Sequence, residues 1–191
     1  YQLVEGHWLE MVVKVTAGLG LRREEICGLK WESVDFQRRV VHIKEARTAY
    51  GATVVQKETK NRSSMRTLFM PDELYELLRR EKARQEQERA IRGGDYAASG
   101  HVVLDREGLP YSPNALSLAF TRFVRKNHLP RLTLHGLRHT FATIASAQGV
   151  PLFDIGKAMG HSTPATTGRI YTHLVDRTHE ETLLLVSAAL K

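Results

Sequence analysis

The sequence predicts a mainly α fold with a small antiparallel β-sheet, an α+β domain, and three observations lead there. Apolar residues near the start recur at helical spacing, three short β-rich runs lie between residues 39 and 70, and helical runs resume from residue 72. A length of 191 residues fits one domain and can bury a core without a disulfide or metal staple.

Each element has its own signal. Leu3, Trp8, Met11, Val12 and Val15 give a helix over 3–17, with both Trp8 and Trp31 expected in the core. Gly18 and Gly20 mark the following turn, and a short helix is expected at 22–29. Strands are expected at 39–44, 52–56 and 66–70, with Tyr50 and Gly51 turning between the first two and a polar, basic connection at 57–65. Pro71 and Asp72 suit the first turn of a helix running to about residue 88. Its charges alternate in sign, as on a solvated face. A loop at 92–100 and a short strand at 101–104 follow. Further helices are expected at 113–127, 135–148, 151–159, 163–171 and 175–189. The last of these carries Leu183, Leu184, Val186 and Leu190 on an amphipathic face.

Composition narrows the class. An apolar share of 42% with 26% charged residues excludes disordered and collagen-like chains. Cys27 is the only cysteine, which excludes an internal disulfide and a CxxC zinc site. No apolar run reaches the roughly 18 residues of a membrane span. The chain opens YQLVEGHW, without Met or a basic leader, and is expected to be an intracellular piece of a longer protein.

The net charge of +7 points to a polyanionic partner. Its distribution sharpens that expectation: from Gly108 to Phe153 there is no Asp or Glu. That stretch holds Arg122, Arg125, Lys126, Arg131 and Arg138, with His128, His135 and His139. A nucleic-acid backbone attracts such a surface through charge and counterion release, and ordinary solubilising charge is the competing explanation.

Two islands carry candidate chemistry: LHGLRH at 134–139 and MGHS at 159–162, with Tyr171 beyond them. His135 and Arg138 are three apart and share a helix face. Guanidinium is a permanent cation whose fork of donors matches phosphate oxygens, and imidazole exchanges a proton near neutral pH. His135 and His139 also have the spacing of a zinc-binding helix. Gly136 stands where that motif needs Glu, and Arg138 would set a cation beside the metal, so no metal site is expected.

HGLRHTFAT, MGHS and IYTH together resemble the C-terminal boxes of the tyrosine recombinases, the phage-integrase family. GLGLRREEICGLKWESV at 18–34 resembles the family's first-arginine box. TKNRSSMRTLFMP at 59–71 resembles its β-hairpin lysine segment, with the register set by Ser64, Arg66 and Pro71. The likeness spans about residues 10–175, with the boxes in family order. Leu19, Phe69 and Met159 depart from the usual residues without changing a chemical group.

The resemblance implies a site and a reaction. Tyr171 would be the nucleophile, Arg22, Arg138 and His161 the donors to the phosphate, Lys60 the general acid and His135 the proton acceptor, with Glu25 supporting Arg22. Arg122, Arg125, Lys126 and Arg131 would contact DNA phosphates. The product would be a 3′-phosphotyrosyl link to double-stranded DNA, resealed without ATP, metal or other cofactor. Consistently, the sequence has no phosphate-binding GxxxxGK[ST] loop. The resemblance also implies one catalytic domain over residues 1–191, a DNA-clamping core-binding domain upstream, and a homo-tetramer on DNA. It further implies a cytoplasmic, nucleoid-associated protein of a bacterium, phage or other mobile element. A DNA-binding module without catalysis and a type IB topoisomerase are the competing readings. The helix expected at 175–189 packs either on its own domain or on a neighbouring copy.

Overall fold

The computed structural model describes residues 2–50, 53–58 and 64–161. Its centre is α1 (Glu10–Leu19), with Met11, Val12, Val13, Val15, Ala17 and Leu19 buried, packed between α3 (Asp72–Arg92) and α5 (Leu134–Ala147). The helix expected over 3–17 is therefore shorter and later. Gln2–Val4 form one 3₁₀ turn, and Gly6, at φ +71°, breaks the run. The Glu10 carboxylate accepts from the Gly6 N–H at 2.9 Å and so ties the break to the new helix start. Trp8 is 46% exposed rather than in the core and stacks on Tyr111 with ring centroids 5.1 Å apart. Trp31 is partly buried, and its Nε1 donates to Gln85 Oε1 at 2.8 Å.

Gly20, at φ +62°, ends α1 in the left-handed conformation that glycine adopts without strain. The chain then enters α2 (Arg23–Gly28). Two small antiparallel sheets follow where one was expected. β1 (Val34–Asp35), β2 (Val40–Ile43) and β5 (Arg66–Phe69) pair in the order β1-β2-β5, with Ile43 opposite Arg66. β3 (Glu45–Tyr50) and β4 (Thr53–Glu58) form a separate hairpin closed by the pair Tyr50 and Thr53. The turn at Tyr50 thus joins β4 to β3, a strand not expected from the sequence, rather than to the strand ending near residue 44. Residues 101–104 form only isolated bridges, His101 to Lys30 and Leu104 to Pro110.

The remaining helices follow their signals closely. α3 buries Leu74, Leu77, Leu78 and Gln85 along one stripe and continues to Arg92. α4 (Pro113–Lys126) starts on Ser112, whose hydroxyl accepts from Ala115 N at 3.2 Å, and buries Leu116, Phe120, Phe123 and Val124. Thr133 caps α5 through Gly136 N at 2.9 Å. α6 (Leu152–Met159) packs on α5 through Ile155, Met159 and Ala142. The helices expected at 163–171 and 175–189 lie outside the described residues. Among the described residues no helix is long and apolar enough to cross a membrane.

Candidate active site

The first arginine box folds so that Arg22 stands just outside α2 and Glu25 turns back beneath it. Glu25 occupies the third position of α2, and its Oε2 accepts from the Arg22 backbone N–H at 2.8 Å. Its Oε1 accepts from Arg22 Nη1 at 2.7 Å. Ile26 and Cys27, both buried, hold this turn against the core. Burial pushes the Cys27 thiol up to about 12, so it remains a packing thiol.

Arg66 enters from β5, 41 positions along the chain. Burial alternates along that strand: Arg66 and Leu68 turn inward while Thr67 and Phe69 turn outward. Arg66 grips Glu25 with both ends of its fork, Nη1 to Oε1 at 3.0 Å and Nη2 to Oε2 at 2.9 Å. Burial raises the Glu25 pKa, but the hydrogen bonds and charges of Arg66 and Arg22 outweigh it and bring the carboxyl down to about 2. Glu25 is therefore a fixed anion at neutral pH.

The second arginine arrives on α5. Arg138 is buried, donating through Nη1 to the Gly20 carbonyl at 2.5 Å and through Nη2 to the Met159 carbonyl at 2.7 Å. Three consecutive carbonyls at the end of α6 are held in this way. Ala158 O accepts from Arg66 Nε at 2.6 Å, Met159 O from Arg138, and Gly160 O from Arg22 Nη2 at 2.7 Å. These carbonyls point out of the helix end, where partial negative charge collects, so cations suit them. Gly160, at φ +69°, turns the chain, and the His161 N–H closes back on Gly156 O at 2.9 Å. A Cβ at Gly160 would lie 2.8 Å from Arg66 Nη1, so a side chain there would displace the guanidinium from its partners.

His161 is thereby delivered to the arginine cluster. Burial first, and then the charges of Arg138, Arg22 and Arg66, lower its pKa to about 4. It is a neutral imidazole at physiological pH. His139 is lowered too, by burial, His135 and Arg138. His135 is exposed, and its ring meets that of His139 edge-on with centroids 4.6 Å apart. A cleft of about 490 Å³ opens beside the cluster, lined by Arg22, Arg23, Ser117, Thr121, Thr133 and His135 among others.

The structure thus brings Arg22, Glu25, Arg138 and His161 together and sets His135 on the adjoining cleft. Arg122, Arg125, Lys126 and Arg131 are exposed on α4 and the loop after it, and none lines that cleft. Lys60 and Tyr171 lie outside the described residues. Arg66 is the site residue that sequence reading passed over. It entered there only as a register marker; its signal was an arginine at an inward-facing strand position. Among the described residues no cluster of His, Cys, Asp and Glu has the make-up of a metal site.

The domain is helical with small antiparallel sheets, and it gathers guanidinium groups and a neutral imidazole at one helix end, a cationic site of the class suited to an anion. The family is specific: the chain belongs to the phage integrase family, whose sequence model matches residues 4–178. A tyrosine recombinase XerC-like protein of Caldanaerobacter subterraneus subsp. tengcongensis is 27% identical over 190 residues, covering 92% of this chain and 48% of that protein. The transposase of transposon Tn916 from Enterococcus faecalis is 29% identical, covering 81% of this chain and 39% of its own length. Among solved structures, the Tn1549 transposon integrase in complex with transposon right-end DNA superposes with a TM-score of 0.75 at 26% identity, covering 91% of this chain and 58% of that one. The XerA recombinase shares the fold, with a TM-score of 0.72 at 22% identity over 96% of this chain and 60% of that one. The chain spans about half the length, or less, of the XerC-like protein and the Tn916 transposase.

Proposed function

We propose that this chain is the catalytic domain of a site-specific DNA recombinase of the tyrosine type, which cuts and rejoins DNA through a covalent phosphotyrosyl intermediate. The observation that carries the reading is the convergence of Arg22, Arg138 and His161 from three distant parts of the chain around one buried acid. Integrases, transposases and recombinases among the relatives support it, as does the Tn1549 integrase, whose structure contains DNA.

The groups divide the reaction between them. A phosphodiester repels an attacking oxygen because it is anionic, and its non-bridging oxygens gain charge in the transition state. Arg22 and Arg138 supply fixed positive charge there, and neutral His161 supplies an N–H. Tyr171 Oη attacks phosphorus, a 3′-phosphotyrosyl bond forms, and the bond to the 5′-oxygen breaks. The tyrosine proton passes to His135, and Lys60 protonates the departing 5′-oxygen. One phosphoester replaces another, so resealing by a 5′-hydroxyl needs no ATP, and the guanidinium groups carry the charge a metal would otherwise balance. Arg122, Arg125, Lys126 and Arg131 serve the flanking DNA phosphates. The relatives' names favour recombination over a DNA-binding module without catalysis or a type IB topoisomerase.

The protein works in the cytoplasm, on the nucleoid, as a homo-tetramer on double-stranded DNA, with a core-binding domain completing the clamp. An apolar groove of about 580 Å³, lined by Leu3, Val13, Phe123, Leu129, Leu132 and Ile144 among others, supports the assembly reading. It suits an apolar segment such as that bearing Leu183, Leu184, Val186 and Leu190, from the same copy or a neighbour. Sedimentation with and without DNA tests the assembly: larger species form with DNA, and a monomer in both conditions would overturn it.

The activity is tested on a nicked suicide substrate. Tyr171→Phe keeps DNA affinity and loses the SDS-resistant adduct. An adduct formed by the Phe variant would remove Tyr171 from the mechanism.

A further inference from the structure

We propose that Arg66 is a positioning residue of the strand-transfer site, holding Glu25 and the end of α6 so that Arg22 and His161 address the same phosphate. This rests on the reading of the site given above.

The first line of argument is electrostatic. Glu25 sits among three guanidinium groups, with Arg22 Nη1 at 2.7 Å, Arg66 Nη2 at 2.9 Å and Arg138 Nη1 at 3.9 Å. A lone buried carboxylate would cancel one of the two cations meant for the substrate. Arg66 removes that conflict by taking both carboxylate oxygens in a planar, two-pronged pair. With His161 neutral, the cluster then keeps two positive charges in excess.

The second line is geometric. Side-chain exposure is 7% for Arg66 and 34% for Arg22, so Arg66 is the inner arginine and Arg22 the outer one. Arg66 also donates to Ala158 O at 2.6 Å and Ser64 O at 3.2 Å. One guanidinium therefore joins the acid on α2, the end of α6 that presents His161, and the chain just ahead of β5. That last segment adjoins residues 59–63, which include Lys60. Lysine cannot replace this fork, because an ammonium offers no plane of paired donors.

The test uses Arg66→Met and Arg66→Lys in the intact protein, below the melting temperature of each variant. Three quantities are read: the single-turnover rate of adduct formation, the affinity for duplex DNA, and the NMR titration of His161. Charged and titratable groups facing His161 are Arg22 from the start of α2, Arg66 from β5, and Arg138 and His139 from α5. In Arg66→Met the adduct rate falls about 100-fold, the scale of a misplaced reacting group, while DNA affinity changes far less. The His161 midpoint moves up from about 4, because one cation has left its surroundings. Arg66→Lys restores the midpoint but not the rate. A folded Arg66→Met that forms adduct at the wild-type rate, or loses rate only in step with affinity, overturns the proposal. If Arg66→Met does not fold, Arg66→Lys decides: a wild-type rate overturns the positioning role, and a slow rate with a restored midpoint supports it. If the wild type itself forms no adduct, the strand-transfer reading fails. The His161 titration then still judges Arg66, and an unmoved midpoint in folded Arg66→Met overturns its role.

Discussion

Arg138 Nη1 stands 3.9 Å from Glu25 Oε2, while the same guanidinium donates to the carbonyls of Gly20 and Met159 at 2.5 and 2.7 Å. Its charge is balanced by an acid, and its orientation is set by the backbone at the ends of α1 and α6. The buried guanidinium thus has its orientation from backbone carbonyls and an acid within ion-pair distance.

Arg138→Lys is consequently not a conservative change. An ammonium keeps the charge but cannot span two carbonyls on different helix ends from one plane. Adduct formation on a nicked substrate drops about 100-fold or more, with DNA affinity nearly retained. A near-normal rate would show that charge alone suffices at this position.

Glu25→Gln leaves Arg66 and Arg22 facing a neutral amide. Removing one partner of a buried ion pair costs on the order of 3–5 kcal/mol, measurable by denaturant unfolding. The pH dependence has a definite sign. Glu25 titrates near 2 when folded, below its ordinary value of 4.5, so its contribution is complete above pH 4.5 and lost as pH falls towards 2. The Gln variant should lack that acid limb, and an unchanged limb would mean the carboxylate is not the group responsible.

His161 gives a second pH window. Its folded value of about 4 lies below the ordinary 6.5, so the unfolded chain binds the proton first. Stability therefore declines as pH falls from 6.5 to 4, and His161→Asn removes that part of the decline. Bound DNA brings a phosphate anion to the cluster and raises the His161 midpoint, followed by NMR. A midpoint near 6.5 in the free protein would contradict the burial and charge described here.

The helices that bury an apolar stripe were legible in the sequence, because spacing alone defines them. The helix expected at 113–127 is α4, which buries Leu116, Phe120 and Phe123. Glu25 was legible as well, through the resemblance of the first-arginine box, which sets it three positions after Arg22. Tertiary contacts decided the rest. β3 has no apolar alternation; it exists because it pairs with β4 and lies against α2, where Gly28 leaves only 2.9 Å between a Cβ and the Ala46 Cα. Trp8 looked like core because its spacing fitted a helix that Gly6 interrupts. Arg66 was visible as a residue but not as a partner, since only the strand register brings it to Glu25.

The three carbonyls at the end of α6 also set an order of events during synthesis. Their arginine partners lie 92, 21 and 138 positions away along the chain. A growing chain that has emerged only through α5 carries all three guanidinium groups but has no helix end to align them. Contacts over such separations close late, because loop entropy must be overcome first. A chain that ends before α6 therefore carries the cations without the hydrogen bonds that align them.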